Sequence, residues 1–384
     1  MANVPFCTLP VRSLSHISHS TKYGGAANLF HHAAQWVSNE CEGAASLRSY
    51  IDSVLLPKLV LEVSNIESVD IPKLSSSESV LGETLAAEFG MSDAAVDVFK
   101  RYDRYFGLRR VVAADSDSVL AQLMTTSKLV VADIRDAPID LAEHRAIYRA
   151  LAVSFGSVGV ADATSGIVSS PHEDGRTYNL DIPAVGSERR AAALYRWKLS
   201  HHLFNLLTTM ATGYLHTASQ SADELVVSEG FDRAADLLRG TTAAMWYGEA
   251  WAPTLYADYI RPTMALARGG TSGFSGRDNL EFTHFRTAAD DSVQTVVDRF
   301  GDSSDRPEVI TEAVLRFLDA RVLDLEHHTI LAEKVVGNKA SLKQEAIQAA
   351  MQARSRAAAD LPAVESLRGL AARARDQKDA FLDG

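Results

Sequence analysis

Apolar residues recur at every third or fourth position through most of this 384-residue chain. The segments AANLFHHAAQWVSNE, SLRSYIDSVLLPKLVLEV, LGETLAAEFGMSDAAVDVFKRYDRYF and DLAEHRAIYRALAVSF all carry this period. The spacing lays an apolar stripe along one face of an α-helix, and such a stripe is stable only when it is covered by other helices. The pattern predicts an all-α fold. SKLVVADI is the one stretch that reads equally as a short buried strand or as the end of a helix. Apolar residues make up 46% of the chain, enough core for one large domain or two modest ones.

The period fails between residues 156 and 186. GSVGVADATSGIVSSPHEDGRTYNLDIPAVG is rich in Gly, Ser and Pro and reads as a long irregular connection. It divides an N-terminal helical subdomain, 1–155, from a second helical domain, 187–384. In that domain SERRAAALYRWKLSHHLFNLLTTMATGYLHTA, SEGFDRAADLLRGTTAAMWYGEAW and PTLYADYIRPTM precede a glycine-rich break, ARGGTSGFSGRDN. The stretch RPEVITEAVLRFLDARVLDLEHHTILAEKVVG then predicts a long helix with Gly337 as its C-terminal cap. The tail from Ser341 reads as helical with a break at Pro362.

The formal net charge is −11, and an acidic surface repels phosphate backbones, so nucleic acid is not an expected partner. Two cysteines, Cys7 and Cys41, make neither a disulfide framework nor a zinc motif, which suits a reducing cytoplasm. The longest apolar run is broken by Pro57 and Lys58 and is too short to cross a membrane. The N-terminus lacks the charged and apolar regions of a secretory signal.

Twelve histidines include the adjacent pairs His31/His32, His201/His202 and His327/His328. Neighbours on a helix point about 100° apart, so a pair rarely gives two ligands to one ion. A histidine among apolar neighbours is ordinarily a satisfied core side chain. His328 has a particular setting: Leu325, Leu331 and Ala332 share its face. An apolar face with a small residue beside one neutral imidazole suits a flat haem held from the proximal side. Asp324 or Glu326 can accept from the imidazole and orient it. In the glycine-rich break, Gly273 and its neighbours let backbone approach a flat ligand closely. Ser272, Ser275 and Arg277 can bond a carboxylate there. In YADYIRP, Arg261 presents a bidentate fork beside the aromatic walls of Tyr256 and Tyr259.

Taken in order, EGFDRAADLLRG, PTLYADYIRPTM, SGFSG and HHTILAEKVVGNK resemble the tryptophan 2,3-dioxygenase and indoleamine 2,3-dioxygenase superfamily of haem enzymes. The resemblance covers roughly residues 190–345. Length, the N-terminal extension and IRPTM look most like its monodechloroaminopyrrolnitrin synthase branch. The resemblance implies a multi-helix haem-binding bundle with haem b on His328, whose interval to Gly337 and Lys339 matches the family's. It implies a substrate carboxylate on Arg261, and a loop closing over the haem edge at Ser272, Gly273 and Phe274. HHLFNLL is similar to the helix that carries the distal histidine, which implies a catalytic role for His201, with His202 or Ser200 as the neighbouring alternatives. The family's GTGG loop is absent: NKASLKQ stands there, with Leu342 in place of a substrate-contacting threonine, and Gly276 replaces the second serine of the closing loop.

The expected function is a haem-dependent oxygenase acting on L-tryptophan or a substituted tryptophan-like amino acid. It would open or rearrange the indole ring in secondary metabolism, with dioxygen and an electron donor, as a monomer or homodimer. A non-catalytic haem or small-molecule binding protein on the same scaffold is the alternative, and an all-α interaction protein without cofactor is a third reading.

Overall fold

The computed structural model describes residues 24–64, 92–111, 116–158, 166–169, 187–251, 253–270, 273–274, 276–300 and 306–336. These form helices α1 (Gly24–Asn39), α2 (Ala44–Tyr50), α3 (Leu56–Ser64), α4 (Asp93–Phe106), α5 (Ser116–Ile134), α6 (Leu141–Val158), α7 (Ser187–Gln220), α8 (Glu224–Gly248), α9 (Arg261–Arg268), α10 (Leu280–Phe300) and α11 (Glu308–Val336). The fold is an all-α bundle. Gly337, Lys339 and the tail from Ser341 lie outside the described residues.

Local chemistry sets several boundaries. The Asp223 carboxylate accepts from the backbone of Leu225 and Val226 at 2.9 and 3.3 Å, starting α8. Gly107 ends α4 with φ 70, a left-handed conformation in which a side chain is strained. Two wide π turns, Ile51–Leu55 and Tyr256–Ile260, each lie one residue ahead of an X-Pro step. Proline has no N–H to give and its ring crowds the carbonyl four residues back. The preceding residue bonds one carbonyl further back instead: Leu56 to Ile51 and Arg261 to Tyr256.

SKLVVADI belongs to α5, with Val130, Val131 and Ile134 fully buried. Its apolar run therefore belongs to a helix covered on several sides rather than to a strand. The observed strands are elsewhere. Leu108–Val111 pairs antiparallel with Gly166–Ser169, Leu108 opposite Ser169. Four residues of the stretch expected to be irregular thus complete a small ribbon.

The main core joins Phe30, Leu55, Tyr148, Leu203, Leu207, Leu238, Phe285 and Phe317, so helices before residue 155 and after residue 187 share it. Gly240 of α8 lies against Ala150 of α6, where a Cβ would collide with the alanine methyl, so the two backbones approach closely. A second, smaller cluster holds Tyr102, Tyr105, Phe106, Leu108, Trp197, Ile260 and Met264, with Tyr256, Tyr259 and Phe274 packed on it. No described helix is long and apolar enough to cross a membrane.

Candidate active site

The site is built on α7. Trp197, His201 and Asn205 follow one another at four-residue intervals and share one stripe of the helix. The His201 ring bonds through Nδ1 to the Trp197 carbonyl at 2.8 Å. Phe106, at the end of α4, stacks on it with centroids 4.1 Å apart and planes 16° apart, and Trp197 lies against it at 4.3 Å. Burial in this aromatic clamp pulls the His201 pKa down to about 3, because an imidazolium there would lose its water; the Trp197 carbonyl offsets this in part, and His202 and His328 add to it. His201 is therefore neutral at ordinary pH. With the proton on Nδ1, Nε2 carries the lone pair.

His328 is oriented the same way from another helix. Its Nδ1 bonds to the Asp324 carbonyl at 3.0 Å, one turn back on α11, and lies 3.5 Å from the Asp324 carboxylate. That carboxylate is only 3% exposed and accepts from Thr242 of α8 at 3.2 Å. Of the two acceptors that the sequence offered, Asp324 is the one used: four residues back lies on the same helical face, whereas Glu326 at two residues does not. Phe282 of α10 lies alongside the imidazole, 5.6 Å away and 28° from parallel. His327 turns inward, buried, with Trp246 3.9 Å away edge-on. The two residues of the pair thus face different surroundings, as the 100° step requires. His328 is near enough to His201 for its charge to depress the latter's pKa.

The other predicted residues gather beside this pair to differing degrees. Tyr256 packs edge-on against Trp197 at 5.5 Å, and burial, with the Glu249 charge, pushes its hydroxyl up to about 12, offset in part by Arg261 nearby. Arg261 itself is exposed at the start of α9, and Tyr259 lies under the Arg190 guanidinium at 5.7 Å. A Cβ added at Gly273 would meet the Met264 side chain at 3.3 Å and the Arg261 carbonyl at 3.9 Å, so the glycine-rich loop folds back on α9. Arg268 holds that loop, reaching the Gly273 carbonyl and the Asp278 carboxylate, both at 3.3 Å. Phe274 enters the aromatic cluster against Tyr102 (5.5 Å) and Tyr105 (5.6 Å). Ser272, Ser275 and the Arg277 side chain lie outside the described residues.

His202 faces away from His201. Its Nε2 donates to the Phe106 carbonyl, which the end of α4 would otherwise leave without a partner. Ser200 is buried against Gly248 and donates to the Trp197 carbonyl at 2.8 Å. Next to Trp197, Arg196 pairs with Asp133 of α5 at 2.6 Å and bonds the Ala250 carbonyl at 2.9 Å, while Tyr247 donates to the same carboxylate at 2.6 Å. This buried network locks α7 in register.

Sequence reasoning missed Phe106, Trp197, Asn205 and Phe282. Trp197 and Asn205 were legible, since both stand one turn from His201. Phe106 carried no such signal, being 95 residues away. Among the described residues no three His, Cys, Asp or Glu side chains converge as a metal cage. A planar iron cofactor needs no such cage, since a single oriented imidazole can hold it.

An all-helical site of this kind, with a neutral His201, an oriented His328 and an aromatic wall, is compatible with oxygenases that work through such a cofactor. The chain belongs to the family described as SfmD 3-methyl-L-tyrosine peroxygenase, whose profile matches residues 69–312. This is a family of haem peroxygenases related to the tryptophan and indoleamine dioxygenases, and its members are enzymes. The match includes α7, Arg261 and the glycine-rich loop, and ends before His327 and His328. No curated protein and no solved structure matches the chain.

Proposed function

We propose that this protein is a haem-dependent peroxygenase that inserts oxygen into the ring of an aromatic L-amino acid of tyrosine or tryptophan size. The observation that carries the reading is the pair His201 and His328. They come from different helices, and each has Nδ1 tied to the carbonyl one turn back. The residues fit a haem. His328 would hold the iron through Nε2, with Asp324 raising the basicity of the ring through Nδ1. When bound, the haem supplies the oxygen-activating chemistry.

The chain's own part is positioning. Phe106, stacked on His201, and Trp197, edge-on to Tyr256, make the surroundings of His201 aromatic, which suits an aromatic ring as the substrate's side chain. His201, neutral and acceptor-ready at Nε2, takes a hydrogen bond from a ring hydroxyl or N–H, or receives a proton as oxygen is activated. Arg261, beside Tyr256, would take the substrate carboxylate from the rim. Phe274 and the loop pinned by Arg268 would close the open side and limit water. The expected partner set becomes an amino-acid substrate and a peroxide. A peroxide carries both the oxygen atom and the oxidising equivalents, so the electron donor expected with dioxygen is not required.

The test is reconstitution with haem, titration with 3-methyl-L-tyrosine, L-tyrosine and L-tryptophan, and product mass analysis after adding hydrogen peroxide without air. A product heavier by one oxygen is expected. Oxygenation that needs dioxygen and a reductant instead would return the mechanism to the dioxygenase type. Binding without any product would favour the non-catalytic haem-protein reading.

A further inference from the structure

The geometry points to Asn205 as the residue that selects a ring hydroxyl, through an amide N–H held ready beside His201. The inference deepens the function proposed above and rests on it.

The orientation of the amide follows from its partners. The Phe282 backbone N–H donates to Asn279 Oδ1 at 2.9 Å, which fixes which end of the Asn279 amide is oxygen. Asn279 Nδ2 therefore donates its two hydrogens, to Tyr102 Oη at 2.8 Å and to Asn205 Oδ1 at 2.7 Å. Asn205 has its oxygen committed, and its Nδ2, at the other end, is buried with no protein partner. The residue is 1% exposed. A buried donor left without an acceptor is costly, and native structures seldom keep one without a use.

Its location supplies the use. Asn205 stands one turn from His201 on the same stripe of α7. The chain of bonds through it joins the pieces that surround the site. Tyr102 touches Phe106 at 4.5 Å and Phe274 at 5.5 Å, and Asn279 opens α10, which carries Phe282 against His328. The stripe thus presents an acceptor, His201 Nε2, and one turn on a donor, Asn205 Nδ2. A hydroxyl satisfies both at once: it donates to the imidazole and accepts from the amide. An indole N–H can only donate, so it would leave the amide unpaired, and a bare phenyl ring would leave both unpaired. Sites that hydrogen-bond a hydroxyl reject the analogue lacking it more strongly than apolar pockets reject a small change of shape. Asn205 is on this argument a specificity-determining residue that favours phenolic over indolic amino acids.

The experiment is calorimetric binding of L-tyrosine, L-phenylalanine and L-tryptophan to the haem-reconstituted protein, with thermal melts as a check on folding. The wild type should prefer L-tyrosine to both others. Asn205→Leu removes donor and acceptor. Asn205→Asp keeps an oxygen for Asn279 and replaces the donor with a second oxygen, so it decides the matter if the leucine variant folds poorly. Tyr102→Phe removes the other bond of Asn279 and leaves the donor in place. Both Asn205 variants should lose about tenfold in the preference for L-tyrosine over L-phenylalanine, the worth of one hydrogen bond. Tyr102→Phe should keep it. Asn205 variants that retain the preference, or a Tyr102→Phe variant that loses as much, would overturn the assignment. A wild type that binds L-tryptophan best, and oxygenates it, would overturn the role of Asn205 while leaving the oxygenase reading intact. A wild type that binds none of the three would overturn both.

Discussion

His202 offers a measurable link between acidity and the shape of the site. Its ring is 2% exposed and donates to the Phe106 carbonyl, at the end of the helix whose Phe106 ring stacks on His201. Burial lowers its pKa from the ordinary 6.5 to about 4, opposed in part by the Phe106 carbonyl and aided by Lys198. Between those values the unfolded chain binds a proton that the folded chain refuses. Stability from this residue is therefore complete above pH 6.5 and is lost as the pH falls toward 4. Between pH 7 and pH 4.5 the difference is about 2.5 kcal/mol, taking about 1.36 kcal/mol for each unit of separation. His202→Leu removes the titrating group and also the partner of a buried carbonyl, a loss of about 1–3 kcal/mol at pH 7. The variant should thus be less stable than wild type at pH 7, and should close that gap or overtake at pH 4.5. Urea unfolding of both proteins at the two pH values checks this. A gap that stays the same at both would refute the claim that this imidazole is held neutral by burial.

Three further outcomes are expected. His328→Ala should abolish stable haem binding while His327→Ala keeps a normal haem absorption band; equal retention by both would remove His328 as the iron ligand. Arg261→Ala should weaken substrate affinity at least tenfold with haem content unchanged, the loss of a charge-assisted hydrogen bond being about 1.5–3 kcal/mol, and Arg261→Lys should rescue only in part. Arg196→Ala leaves the 3% exposed Asp133 carboxylate without its cation and should cost about 3–5 kcal/mol in denaturant unfolding, whereas Tyr247→Phe, which spares the ion pair, should cost less.

How much of this could be read in advance differs from residue to residue. The helices follow from a local rule, since apolar spacing of three and four residues dictates which face must be covered. The π turns before Pro57 and Pro262 are equally local, because the missing N–H and the ring act on the turn beside them. The common stripe of Trp197, His201 and Asn205, and the choice of Asp324 over Glu326, follow from 3.6 residues per turn. Other features needed chain segments far apart in sequence to meet. Strand Gly166–Ser169 exists because Leu108–Val111 offers it partners, in a stretch whose composition alone suggests an irregular connection. Periodicity alone does not tell His201 from His202, and only the family resemblance puts His201 first. Phe106, 95 residues upstream, separates them: its ring stacks on His201 and its carbonyl binds His202. Periodicity fixes the direction a side chain leaves its own helix. What stands there to meet it, and so whether an imidazole is clamped between aromatic rings or braces the end of a helix, is decided by packing between distant segments.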